Sequence, residues 1–263
     1  MPNNNFERIK QIDAKSEEYW SARELLKLLG YGEYNKFIPV VEKAIESCVN
    51  SGEKAKNHFA RVSDMVDIGS GAERTISDIH LSRYACYLIA QNGDSRKEEI
   101  ALAQTYFAIQ TRKQEVHEQL MEDHKRVHLR GEMTTRNKKL GQIAKHTGVT
   151  NYANFQDSGY MGLYGGLRQK DIHKKKKLKR SEKILDHMGS EELAANIFRA
   201  TQTDAKMRRE NIFGKTKANK THYRVGKKVR QTIKELGGTM PEKLPSAESI
   251  KLAQKRLKYP HRF

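Results

Sequence analysis

Apolar residues recur along this chain in two rhythms, one helical and one alternating, and the changes of rhythm mark out its elements. The first helical signal runs from Tyr19 to Gly30, where Ser21 and Glu24 have the spacing of a capping box. Trp20 and Leu25 stand at the two positions of a hydrophobic staple around that cap, and Gly30 supplies a left-handed stop. Ile38, Val41, Ile45 and Cys48 predict a second helix, with Pro39 tolerated because it falls in the first turn. Residues 58–62 and 74–79 are β-compatible pieces around Gly69-Ser70-Gly71 and predict a small hairpin or sheet. Leu81, Tyr84, Ala85, Leu88 and Ile89 restore the helical spacing up to Asn92-Gly93, and Ser95 with Glu98 has capping-box spacing again. The helix opened there is long: Ile100, Ala103 and Phe107, with Leu102, Tyr106 and Ile109, then Val116 and Leu120, carry it past residue 115, where it turns polar.

In the second half, residues 138–150 suggest the first helix and turn of a helix-turn-helix, through Ala144 and Gly148. Asn154 and Asp157 then stand where a recognition helix needs apolar residues, and Gly159 is expected to break it, so a helix followed by a loop is the better reading. Residues 158–167 are rich in glycine and aromatics but match neither a dinucleotide fingerprint nor a P-loop. They predict a compact loop with Tyr160 and Tyr164 packed inward, in preference to a platform on which bases stack. Ser190-Glu191-Glu192 opens a helix through Leu193, Ile197 and Ala200, with Arg208-Arg209 suited to its C-terminal end. A loop with Gly237-Gly238, Pro241 and Pro245 precedes a short last helix over residues 250–257. The expected fold is α+β: a domain over residues 1–115 of helices with a small hairpin or sheet, a helical connector over 116–145, and a mostly α-helical domain over 146–263.

Charge sharpens this division. The chain carries a formal +18, yet residues 1–120 hold 16 Lys/Arg against 18 Asp/Glu, whereas residues 121–263 hold 34 against 14. A basic excess confined to one half points to a polyanion, because lysine and arginine displace condensed counterions from phosphates. Residues 168–230 are densest, with 20 Lys/Arg and 7 Asp/Glu. One group there is Arg168, Lys170, Lys174, Lys175, Lys176, Lys177, Lys179 and Arg180. A second is Arg208, Arg209, Lys215, Lys217, Lys220, Arg224, Lys227 and Lys228, interleaved with His222 and Tyr223. Both groups are candidates to grip successive phosphates, and Tyr223 to stack on an unpaired base; such contacts hold a strand without reading its sequence. The run of lysines is also what a solvated loop looks like, so the second group is the stronger candidate.

Catalytic constellations are missing. Cys48 and Cys86 sit in apolar helical patterns without a partner at Cys-x-x-Cys spacing and read as small buried hydrophobes. His124 and His128 lie four apart on one face of a predicted helix, but there is no His-Glu-x-x-His and no third ligand at a telling spacing. There is no Gly-x-Ser-x-Gly, and no metal, cofactor or enzymatic activity is expected. The first residues lack an apolar signal core and no stretch reaches the ~18 apolar residues needed to span a bilayer, so a cytosolic, nucleoid-associated protein is expected.

Three N-terminal stretches, Tyr19 to Tyr31, Asp78 to Asn92 and Ala103 to Arg112, resemble a BRO-type N-terminal domain as found in the DNA-damage-inducible protein D (DinD) family. Gly159 to Leu167, Glu192 to Thr203 and Glu235 to Glu242 are similar to that family's C-terminal region. The resemblance implies a protein induced in the SOS response that inhibits or disassembles RecA filaments on single-stranded DNA, and so acts on recombination and repair. It also implies an N-terminal domain related to modules that bind DNA and regulate transcription. No catalytic residues come with it. The near-neutral N-terminal half suits protein contact or self-association, and the basic half suits DNA, single-stranded DNA being favoured. Two other classes stand beside this reading: a transcriptional regulator or antirepressor acting through the BRO-like domain, and a metal-dependent nuclease using acid-x-Lys fragments.

Overall fold

A computed structural model of the chain describes residues 5–13, 16–67 and 73–259. The chain divides into two compact units, residues 1–114 and 115–263. The architecture is α+β, with strands in the first unit and helices throughout.

The first unit opens with α1 (Asn5–Arg8), β1 (Lys10–Ile12), β2 (Glu18–Ser21), α2 (Ala22–Leu28) and α3 (Tyr34–Asn50). It continues with β3 (Phe59–Asp67), β4 (Glu73–Leu81), α4 (Arg83–Asn92) and the start of α5 (Glu98–His146). The predicted hairpin is β3 paired with β4, and the turn expected at Gly69-Ser70-Gly71 lies outside the described residues. Two further short strands make an antiparallel sheet of order β1-β2-β4-β3, with Trp20 and Phe59 both in register with Leu81. Ser21 caps α2 as expected, accepting from the Glu24 N–H at 3.3 Å, and its hydroxyl also donates to the buried Asp78 carboxylate. Trp20 is fully buried; its ring stacks on Phe6 at 4.7 Å and its indole N–H donates to the Phe6 carbonyl at 3.0 Å. Leu25, Phe37, Val41, Leu81, Ile89 and Ile100 complete this core, and Cys48 and Cys86 are buried, free thiols within it.

Some local expectations change. Pro39 lies in the second turn of α3, where its missing N–H leaves the carbonyl of Asn35 to water at an exposed position. Helix α5 starts at Glu98 itself, two residues later than a Ser95 cap would place it. Leu102 and Ile109, read as part of an inward stripe, are about two-fifths exposed.

The second unit continues with α6 (Tyr152–Leu163), α7 (Gln169–Lys175), α8 (Ser190–Arg209), α9 (Lys215–Glu235) and α10 (Ile250–Lys258). The stretch expected to be a connector contributes to its interior: Asp123, Arg126, Met133, Leu140, Ile143 and Ala144 of α5 are buried. Polar members hide the stripe from hydropathy, yet each is partnered. Asp123 accepts from Arg256 of α10 at 2.6 and 2.9 Å, and Arg126 donates to the carbonyls of Met188 and Glu248.

The glycine-aromatic segment is mostly helix, not loop. Gly159 and Gly162 lie on the face of α6 that meets α9, and a Cβ at Gly162 would strike the Tyr223 carbonyl of α9. A Cβ at Gly226 of α9 would lie 2.7 Å from the Gly159 carbonyl. The two backbones are therefore in direct contact, a packing that only glycine permits, and the gain offsets its poor helix propensity. Tyr160 and Tyr164 are buried, as their inward packing required, and offer no base-stacking platform. Helix α6 packs in the core through Phe155, Tyr160 and Leu163, so the helix-turn-helix reading has no free second helix.

Candidate nucleic-acid interface

The site is built on α9, which the apolar pattern did not predict. Its buried face is Ala218, Thr221, His222, Val225, Gly226 and Val229, only half of them apolar. Gly214, at φ +89°, opens the helix, and its N–H donates to the Thr147 carbonyl at 2.9 Å. The outward face carries Lys217, Lys220, Arg224, Lys227, Lys228 and Lys234, all exposed. At about 100° per residue these six fall within roughly a third of the helix circumference. None of them has a carboxylate partner among the described residues, and the first turn of α9 holds Lys215 and Lys217 but no acid. Cations at a helix N-terminus oppose its dipole by ~0.3–1 kcal/mol each, so this charge is carried against the local preference of the helix.

Beside this row, α8 and α9 enclose a groove of about 490 Å³. Arg224, Lys228, Lys206 and Arg209 line it, Val225 and Val229 form its floor, and Phe198 stands in it with half its surface exposed. Lys206 is paired with Glu210, whose carboxylate also lies 4.0 Å from Arg209, while Arg224 and Lys228 are left open. The groove joins an aromatic face to unpaired cations, the combination that holds an unstacked base together with its phosphates.

Behind the groove lies a polar core. Arg199 is fully buried without a carboxylate; it donates to Asn196 Oδ1 at 3.1 Å and to His222 Nε2, and lies over the Tyr160 ring at 4.8 Å. His222 Nδ1 donates to the Phe155 carbonyl at 2.9 Å. Burial, followed by the Arg199 charge, holds His222 well below the usual imidazole range, so it is neutral and accepts from Arg199. It positions α9 against α6 and does not reach nucleic acid, contrary to the sequence expectation: it occupies the inward face one position away from exposed Tyr223.

The other predicted residues divide. Lys215, Lys217, Lys220, Tyr223, Arg224, Lys227 and Lys228 share the exposed part of α9. Arg209 is exposed at the end of α8, and Arg208 is bound to Asp204 one turn earlier at 3.1 Å. Arg168, Lys170, Lys174, Lys175, Lys177, Lys179 and Arg180 are exposed, the first five on or beside α7 rather than on a solvated loop. Lys176 is not available: its ammonium is buried against Glu192 at 2.8 Å, a carboxylate that burial pushes up and that also accepts from Tyr164. The α7 lysines line a concavity different from the α8–α9 groove. Phe198, Gln202 and Lys206 were not singled out from sequence. A signal was present for Phe198, an aromatic out of phase with the stripe of Leu193, Ala200 and Met207. His124 and His128 are both exposed on α5, and among the described residues no three His, Cys, Asp or Glu are gathered as metal ligands. Among those residues no helix is long and apolar enough to cross a membrane.

Comparison with known proteins matches residues 8–108 to the BRO family, N-terminal domain, and residues 120–253 to the DinD C-terminal domain. The chain is similar to DNA damage-inducible protein D of Escherichia coli (strain K12), with 57% identity over 262 residues covering 96% of each chain.

Proposed function

The chain belongs to the DNA damage-inducible protein D family, and from that membership we propose that it is a non-enzymatic protein of the DNA-damage response that grips single-stranded DNA along α9 and acts there on RecA filaments. The observation that carries the DNA contact is the row of six cations on one face of α9, without carboxylate partners among the described residues, beside the exposed ring of Phe198. A polyphosphate chain relieves the repulsion within such a row and releases counterions on binding. Single strands are favoured because Phe198 and Tyr223 need an unstacked base, which a closed duplex withholds. The RecA filament is the partner implied by family kinship, and in it the single strand is the shared ligand.

The test uses purified protein and preformed RecA filaments on fluorescently labelled single-stranded DNA. The wild-type chain is expected to dissolve the filaments, and Arg224→Glu, Lys227→Glu and Lys228→Glu together to abolish that. Undiminished dissolution by the triple variant would overturn the role given to α9. Dissolution absent from the wild type itself would overturn the RecA partner while leaving DNA binding to be measured directly.

A further inference from the structure

A second concavity in the same unit has no part in that reading. It lies between α7 and residues 241–246 and encloses about 560 Å³, the size of a small-ligand site. Leu167, Ile172 and Leu244 give it apolar walls, and Lys175, Lys177 and Lys243 stand around it. The carboxylates close by are already engaged. Glu242 accepts two bonds from Arg230, at 2.6 and 2.7 Å, which hold its carboxyl below the usual range. Glu192 is taken by Lys176 and Tyr164. The three rim lysines are exposed, gathered on one hollow and in no ion pair among the described residues; Glu242 lines the same hollow and feels Lys175, but its carboxylate is bound by Arg230. Like charges so placed repel one another unless an anion sits among them.

The backbone adds a second observation. Lys177 has φ +53°, in the left-handed region, at the position closing α7 where glycine is usual. Its N–H donates to the Lys174 carbonyl at 3.0 Å and the Leu178 N–H to the His173 carbonyl at 3.2 Å, a complete Schellman closure. Glycine or asparagine would take that conformation at less cost, and either would remove an ammonium from the rim.

We propose that this concavity binds a phosphate monoester carried on a small organic body, with Lys175, Lys177 and Lys243 around the phosphate and Leu167, Ile172 and Leu244 against the body. A free mononucleotide and the 5′-phosphorylated end of a DNA strand share that chemistry. The proposal does not depend on α9, because its lysines are different ones.

The experiment measures binding by calorimetry of deoxyadenosine 5′-monophosphate, deoxyadenosine, and one ten-nucleotide strand with and without a 5′ phosphate. The full-length protein is compared with Lys175→Gln/Lys177→Gln/Lys243→Gln, both made also in an Arg224→Gln/Lys227→Gln/Lys228→Gln background to remove the α9 contribution. The monophosphate is expected to bind at least tenfold more tightly than the nucleoside, and the rim variant to lose that difference. A strand that gains from its 5′ phosphate only with the rim lysines intact identifies a strand end as ligand; no such gain beside monophosphate binding identifies the free ligand. Equal binding of nucleoside and monophosphate, or monophosphate binding unchanged in the rim variant, overturns the site. Because the α9 background keeps the rim intact, failure of the DNA-binding reading leaves monophosphate binding in place.

Discussion

The ionic-strength dependence of single-strand binding follows numerically from the geometry of α9. If the six outward cations, which have no carboxylate partners among the described residues, each face one phosphate, they release counterions with a logarithmic slope of about −0.7 per contact on single strands, so log K should fall against log salt with a slope near −4. Between about 50 and 200 mM salt that amounts to roughly a 300-fold loss of affinity. Replacing Arg224, Lys227 and Lys228 by glutamine removes half the contacts and keeps good helix formers in place. The slope should drop to about −2 and the same salt interval should then cost only about 20-fold. Fluorescence anisotropy of a labelled oligothymidylate at four or five salt concentrations reads both slopes directly. A triple variant that binds more weakly but keeps the wild-type slope would refute the reasoning, since its lost affinity would not come from phosphate contacts.

Phe198→Ala should lower single-strand affinity by about 5- to 150-fold, the ~1–3 kcal/mol of one stacked base, with duplex binding unchanged in the same anisotropy assay. Gly162→Ala, which at an exposed helix site would stabilise by ~1 kcal/mol, should instead destabilise by ~3 kcal/mol or more because its methyl group meets backbone of α9; the urea midpoint gives the sign. Glu242→Gln breaks the two-pronged ion pair with Arg230. Since the Glu242 carboxyl is held below its ordinary value of 4.5, the stability it contributes is full above that pH and fades as pH falls through the lowered value, so wild type and variant should converge in acid melts. Melts that stay equally far apart down to pH 2 would show that the ion pair is not the source.

How much of this was legible in the sequence varied with how apolar each inward face is. The start of helix α2 was readable because Ser21, Glu24, Trp20 and Leu25 form a local signature independent of the rest of the chain, although Tyr19 and Trp20, read with the helix, belong to β2. The β3–β4 hairpin was legible as two β-rich pieces, while β1 and β2, at three and four residues, are too short to show a period. Helix α9 escaped because its inward face includes Thr221, His222 and Gly226, residues suited to touching α6 and Arg199 and not to raising hydropathy. The same cause misplaced His222: among lysines it reads as a surface residue until the helical phase is known. Lys176 escaped because nothing in a run of four lysines distinguishes the one whose partner, Glu192, lies sixteen residues on. The basic excess itself was visible from counting alone, and the exposed positions on α9 are where that excess is concentrated in a single row.

The glycine contact between α6 and α9 has a bearing on what can be held along the outer side. Helices separated by large side chains can slide by repacking them, whereas here main chain rests on main chain, with Gly162 beneath the Tyr223 carbonyl and the Lys227 N–H. Lys220 and Lys234 are thus fixed about 21 Å apart by the helical rise, like graduations on a ruler. A strand bound as proposed would have to conform to that scale, and the length covered by one molecule would then follow from the unit's own architecture.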